Sequence, residues 1–454
     1  MDREALQQLE RDALVELVVR LHARVAELEA TVARLGGPPK TPGNSSIPPS
    51  QGFKPDRAER RARRKRGGPL GLSRRRQEPD LVARCRPTSC RGCGAALAER
   101  DQKRVGRSQV VDLPPVRPVV VEAWRYAAVC PGCGERTVAE APPGLEPERV
   151  FGPGVEALLG YLHERHHLGY ERLVEVCRDL FGLAISEGAV ANALARLAER
   201  ARPRYEAIGA EVRGSPVINS DETSARVDGR NRWQWVFQTP GASYHVIAPS
   251  RGADVIDRFL EGAEPEVWGS DLWAPQVGTA AGAHQVCMSH QVRDLTYAEE
   301  ADGPAGQQWA RDLRHVFGRA LRLHHERAQV SPATFARRRV LIGRATDRLV
   351  FGPPLPPASE GRRLQKRYRQ HRDSLYVFLE RADVEPTNNG SERDLRNSVI
   401  HRKVTGGHRS ARGAEASAIL TSILATARKR GHNLYDALRA LAGPSPLQAA
   451  LPAS

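Results

Sequence analysis

Apolar residues recur at every seventh position near the start of the chain. Leu14, Leu21, Leu28 and Leu35 fall on one stripe, with Val18, Val25 and Val32 on the stripe beside it. Valine at a and leucine at d predicts a parallel two-stranded coiled coil, so residues 1–35 read as a dimerisation helix. The period then stops. Residues 36–52, GGPPKTPGNSSIPPSQG, hold too much Pro, Gly and Ser for a regular element and read as a linker. Helical periodicity resumes near 150. Within 146–212, the stretch YERLVEVCRDLFGLAISEGAVANALARLAER predicts helix, short turn, helix, a layout compatible with a DNA-binding helix-turn-helix.

From 215 the period changes from 3.6 to 2. SPVINSDETSARV, RWQWVFQT and SYHVIAP are short β-branched or aromatic runs, with turns at DGRN and PGA between them. They predict three consecutive antiparallel strands. SRGADVIDRFLEG follows as a helix with Val255, Ile256, Phe259 and Leu260 on one face, and EVWGSD returns as a further strand. Three strands, a helix and a fourth strand is the order of the ribonuclease-H-like fold. Residues 300–384 are helix-rich and basic, and another helical region starts at about 386.

Composition adds scale and charge. A chain of 454 residues exceeds one ordinary core, so about three units are expected. No apolar run is long enough for a membrane helix, and the N-terminus lacks the basic start and apolar block of a signal peptide. A cytoplasmic location with reduced thiols is the expectation. The net charge is +16, and residues 54–76 alone, with eleven Lys or Arg and two acids, supply +9 of it. A polyanionic partner fits that excess, because neutralised phosphates release counterions.

Seven cysteines are present: Cys85, Cys90, Cys93, Cys130, Cys133, Cys177 and Cys287. CRGCG and CPGCG are two Cys-x-x-Cys-Gly knuckles joined by a segment rich in β-formers. Cys90, Cys93, Cys130 and Cys133 can supply the four thiolates of one structural Zn²⁺, with the glycines permitting tight turns. Cys85 reads as a bystander and Cys177 as a packing residue. HERHH at 163–167 satisfies His-Glu-x-x-His, the zinc and general-base pattern of metalloproteases. Leu173 stands where a third histidine would be needed, which leaves only a downstream acid such as Glu187 as a third ligand. A surface stretch of a basic helix is the plainer reading.

The acidic residues carry the remaining chemistry. Asp221 lies in the first strand, within INSDET, and Asp271 closes the fourth, within WGSD. Those strands are neighbours in a ribonuclease-H-like sheet. Glu392, in VEPTNNGSERDLRNSV, follows a plausible N-cap at Asn388 or Asn389 and shares a helix face with Arg396. Three converging carboxylates hold two Mg²⁺ (or Mn²⁺), since these hard cations prefer charged oxygen ligands. About 120 residues separate Asp271 from Glu392, so a helical insertion over about 275–385 is expected between them. Cys287 and His290 have metal-like spacing without a second pair nearby. His290 and Arg293 are expected to face the site or its DNA.

The chain resembles transposases of the insertion-sequence-66 family, DDE enzymes of bacterial mobile elements. The resemblance rests on the N-terminal zipper, NSSIPPS, RGGPLG, the double knuckle, HLGYERL, DETSARVDGRNRWQWVF, CMSHQVRDL, NNGSERDLR and RKVTGGHRSARGAEASAILTSILATARKRGHN. It implies that Asp221, Asp271 and Glu392 form the DDE triad, and that the zinc and helical regions bind the element's terminal repeats. After Asp271 the family usually shows a glycine and aromatics ending in tyrosine, where this chain has DLWAP.

The expectation is therefore a multidomain α/β protein. It has a coiled coil (1–35), a linker and basic arm (36–79), a four-cysteine zinc-ribbon-like module (80–145) and a helical DNA-binding region (146–212). A ribonuclease-H-like catalytic domain with its helical insertion (213–430) and a C-terminal tail (431–454) complete it. The expected partners are double-stranded DNA (element ends and target), a second copy of the chain and element-encoded accessory proteins, with no membrane and a nucleoid-associated location. Arg393, Arg396, Arg402 and Lys403 are candidate phosphate contacts. The rival reading is an inactive zinc-dependent DNA-binding protein derived from a transposase.

Overall fold

The computed structural model describes residues 15–16, 18–22, 24, 38, 40–41, 44, 76–147 and 149–446. Most of the heptad seam (Leu14, Val25, Leu28, Val32 and Leu35) and the basic arm before Arg76 lie outside the described residues. The described residues between 15 and 24 are helical and exposed, Val18 and Leu21 among them.

The cysteine segment holds a short antiparallel hairpin, β1 (Ala127–Val129) and β2 (Arg136–Val138), wrapped around the second knuckle. Next come α1 (Pro153–Gly160), a π-helical turn (Tyr161–Arg165), α2 (Tyr170–Phe181) and α3 (Glu187–Arg213). Gly182, in the left-handed region, ends α2 with backbone bonds back to Arg178 and Cys177. Ser186 then caps α3 by accepting from Ala189 N–H. The expected helix, turn, helix is thus built by a glycine stop and a serine start.

The sheet follows in order: β3 (Val217–Val227), β4 (Arg230–Gln238), β5 (Ser243–Ala248), α4 (Ala253–Leu260) and β6 (Val267–Ser270). Asp228 and Gly229, both at positive φ, turn β3 into β4 in the conformation that hairpin twist requires. Val255, Ile256, Phe259 and Leu260 are all buried, as the helical stripe predicted. After α5 (Ala274–Val277) comes a strand that the sequence pattern did not announce, β7 (Ala283–Val286). It lies inside the stretch expected to be a helical insertion, and its AHQV lacks the β-branched or aromatic run that marked the other strands, so β7 is recognisable only by its pairing with β6. The spatial order is β5-β4-β3-β6-β7, with β3–β4–β5 antiparallel and β3–β6–β7 parallel.

Alternation along the strands divides two cores. Ile218, Trp235, Phe237 and Trp268 point into one, shared with α1–α4 and two later helices, α12 (Ala411–Lys429) and α13 (Leu434–Leu441). Val217, Val267 and Val286 point into the other. This second core is completed by α6 (Met288–Ala301), α7 (Pro304–His325), α8 (Pro332–Val350), α9 (Glu360–Gln370) and α10 (Val377–Glu380). Between the two helical groups α11 (Asn389–Thr405) packs on β3 and β4. Within the expected C-terminal tail, α13 buries Leu438, and Ala442 behind it accepts hydrogen bonds from Arg149 and Arg200 at 2.9 and 2.7 Å. Its stripe Leu434, Leu438, Leu441 has helical spacing and docks for the usual reason, burial of an apolar face.

Candidate functional site

Register places the first two acids. Val217 pairs with Val267, Ile218 with Trp268 and Asn219 with Gly269. Side chains alternate, so Val217, Asn219 and Asp221 share a face with Val267, Gly269 and Asp271. Gly269 leaves room here for the Asn219 carboxamide, which an added Cβ would displace. Asp221 accepts the Glu222 N–H at 2.8 Å, and Asp271 accepts the Trp273 N–H at 3.1 Å.

The third acid arrives by stitching. Where the helical excursion leaves the sheet, Cys287 N–H donates to Ser270 O at 2.8 Å and Met288 N–H to Pro386 O at 2.9 Å. Asn388 N–H meets Cys287 Sγ at 3.2 Å, and its side-chain amide donates to Ser220 O at 2.7 Å. The end of a hundred-residue detour is thereby fastened to its beginning. Asn388 occupies the N-cap position of α11 but does not cap with its side chain. Its carboxamide instead holds β3 and accepts from Ser391 Oγ at 2.6 Å. Gly390 lets α11 lie against Gln238, whose amide nitrogen would be 2.7 Å from an added Cβ. Glu392 thus sits in the first turn of a helix pinned to the strand that carries Asp221.

Cations from α6 meet it there. His290 Nε2 and Arg293 Nη2 lie 3.7 and 3.5 Å from Glu392 Oε1. Asp221, half-buried, is held well above the usual carboxylate range, first by loss of hydration, then by the nearby Glu222 and Asp271 charges. Burial alone would raise the Cys287 thiol and depress the His290 imidazole. The contact between them reverses both, holding the thiol down and the imidazole up. Arg393, Arg396 and Lys403 are exposed on α11, and Arg402 donates to Ser224 on β3.

Sequence reasoning missed the support on the other face of β3. Glu222 is buried there and accepts from Arg251 Nε at 2.8 Å and Gln276 Nε2 at 2.9 Å. Gln276 in turn accepts from Trp268 Nε1 at 2.9 Å. The only sequence signal was parity: a strand residue next to Asp221 must face the opposite way.

The cysteine knuckles are alike. The carbonyls of Cys90 and Cys130 accept the N–H of the following Gly94 and Gly134, at 2.9 and 2.8 Å, with both glycines at positive φ. Backbone N–H groups of Cys93 and Gly92, and of Cys133 and Gly132, lower the first thiol of each pair. These are the turns and thiolates that zinc binding uses. Among the described residues no group of three or more His, Cys, Asp or Glu side chains is arranged to hold a metal ion as it lies. The two knuckles are separate pairs.

Comparison with known families decides the assignment. The profile described as Transposase IS66 family matches residues 148–416, more than half of the chain. The chain belongs to the IS66 transposase family. A second profile, the zinc-finger binding domain of transposase IS66, matches residues 87–134 and spans both knuckles of this transposase. A search of curated proteins found no match. Among the described residues, no helix of the transposase is long and apolar enough to cross a membrane.

HERHH takes a different place in this IS66 transposase. Glu164 is buried and accepts from Ser417 Oγ at 2.8 Å, and burial raises its pKa. His163 and His167 pack on His401 at ring distances of 5.0 and 5.8 Å, and His401 stacks on His408 at 5.2 Å. The motif ties the π-turn to α11 and to the loop that precedes α12.

Proposed function

We propose that this transposase is a DDE enzyme of ribonuclease-H-like fold that binds the ends of its element, cleaves them and joins the freed 3′-hydroxyls to target DNA. Asp221, Asp271 and Glu392 would hold two Mg²⁺ or Mn²⁺ ions. The observation that carries this reading is the shared face of Asp221 and Asp271 on adjacent parallel strands, with Glu392 in the first turn of a helix fastened to the same strand. The donor set suits hard cations by its chemistry, since all three are carboxylates and the repulsion that raises Asp221 is what a bound cation would relieve; as they lie, the three side chains are not gathered to metal-binding distance. Held by these carboxylates, the ions would supply activation of a water or 3′-hydroxyl and neutralisation of the leaving oxygen.

The chain's own residues have distinct tasks. Arg293 and His290 hold Glu392 by its carboxylate and present positive charge where a phosphodiester would enter. Arg393, Arg396, Arg402 and Lys403 supply phosphate contacts along α11, which position the strand without reading sequence. Cys90, Cys93, Cys130 and Cys133 would hold one Zn²⁺ once the two knuckles are brought together, and so shape an end-binding module. The helix pair α2–α3 serves as a second DNA-binding element, and residues 1–35 pair two copies for synapsis of two ends. The domain limits expected from the sequence are adopted with this reading, with α13 added to the folded body.

The test uses purified protein, Mg²⁺ or Mn²⁺, and a supercoiled plasmid carrying the DNA that flanks the gene. The expected result is nicking and strand joining at the element ends, lost by at least about a thousandfold in Glu392→Gln with end binding retained. Tight binding with no cleavage, the same in Glu392→Gln, would instead favour the inactive DNA-binding derivative.

A further inference from the structure

Two residues beyond Asp271, an indole stands in the open. Trp273 is 37% exposed although it adjoins a half-buried carboxylate. It is also held. Its backbone N–H donates to Asp271 Oδ1, and its ring N–H reaches Arg251 O at 3.4 Å. The Arg251 guanidinium lies over the Trp273 ring at 4.0 Å and over the Trp233 ring at 4.7 Å. Its charge is fixed by Glu222, with Nη2 at 2.7 Å from the carboxylate, so Arg251 is committed to the stack. Trp233, Arg251 and Trp273 form a three-layer ladder, with Trp233 packed against the core and Trp273 in the segment that follows Asp271, its backbone N–H on that carboxylate.

One face of Trp273 is covered by Arg251, so its exposed area lies on the other face and edge. A rigid, exposed indole is suited to a flat aromatic partner, and a cation behind the ring does not obstruct the free face. The surroundings specify which partner. Arg293 and the basic face of α11 favour a phosphate strand, and the bases of that strand have π-faces on every residue.

Resting on the strand-cleavage reading above, we propose that Trp273 is a stacking shelf for an unpaired DNA base next to the cut phosphate. Arg251 and Glu222 are its positioning residues. Unstacking that base at the element end costs free energy, and the indole returns part of it at the point where the strand must be drawn to the carboxylates.

The experiment uses the full-length protein and end-derived duplexes carrying 2-aminopurine at each position around the cut in turn. Fluorescence is read in the wild type and in Glu392→Gln, where chemistry is blocked. Quenching is expected at one position in both proteins, lost in Trp273→Ala and kept in Trp273→Tyr. Trp273→Ala should cleave paired ends about 5- to 100-fold more slowly, the size of one base–aromatic stack. An abasic site at the quenched position should slow the wild type by a similar factor and leave Trp273→Ala unchanged, as residues acting on one another require.

Cleavage by the wild type with no Trp273-dependent quenching overturns the shelf. So does an equal further slowing of Trp273→Ala by the abasic site, which would mark a purely structural role. A change in oligomeric state with unaltered DNA readouts would make the indole a protein contact and also overturn it. Quenching without cleavage in any protein would sink the strand-cleavage reading and leave the shelf standing. Absence of both would remove the two together.

Discussion

At the scale of single residues, burial sorts the titratable groups into two kinds. Around the carboxylate site, charged partners face each other: Glu392 with His290 and Arg293, Glu222 with Arg251. In the histidine cluster, His401 and His408 stack on each other, and burial disfavours the charged form of both. His401 is pushed down to about 3, by burial first and then by His163, while burial holds His408 and His245 at about 4. Their folded values lie below the unfolded 6.5, so the unfolded chain binds more protons between about pH 4 and 6.5. Stability is therefore complete above 6.5 and falls as pH drops, by up to about 1.4 kcal/mol per pH unit for each histidine. Urea unfolding at pH 7 and pH 5 should show a loss of several kcal/mol that is clearly smaller in His401→Gln. Glu164 and Asp221, both raised, act in the opposite direction above about pH 4.5, so a flat profile in the wild type would mean that the acids offset the histidines.

Elements bring these residues into place, and here the sequence was legible in part. β3, β4, β5, α4 and β6 carry their period in alternating or helical apolar positions, so Asp221 and Asp271 could be placed on neighbouring strands from the sequence. β7 carried no such signal, since AHQV has no β-branched or aromatic run and is known as a strand only by its partner. The seat of α11 was equally hidden, since Asn388 fits the description of a cap but serves as a tether to Ser220. Removing that tether in Asn388→Ala leaves a buried carbonyl without its donor and should cost about 1–3 kcal/mol. DNA binding should persist while strand cleavage falls more than tenfold; equal loss of both would mean that the helix has simply come away. Gly269→Ala offers a second check from the sheet side. The added methyl meets Asn219, so unfolding should be easier by about 1–3 kcal/mol. A variant as stable as wild type would show that the strands need not approach so closely.

Across the whole molecule, the sheet is wedged between two cores, while the cysteine segment stands apart with most of its residues exposed. Loss of zinc should accordingly act on recognition more than on the catalytic body. In Cys90→Ser with Cys130→Ser, or after chelation with a zinc-selective agent, affinity for element ends should drop at least tenfold. The main unfolding transition should stay within about 2 °C. A large drop in that transition would place the knuckles inside the catalytic core instead.

What the sequence determined by itself was local: period, turn chemistry, the knuckles, the acids, and the family whose motifs it carries. Those properties are written in neighbouring residues, because helix and strand repeat over a few positions and a glycine turn needs only its own backbone. What only the tertiary structure decided was convergence. The bond from Met288 N–H to Pro386 O closes the long excursion, HERHH meets His401 across the fold, and Glu222 finds Arg251 between two indoles. Contacts of that kind depend on which surfaces are buried together, and no window of sequence contains both sides of them.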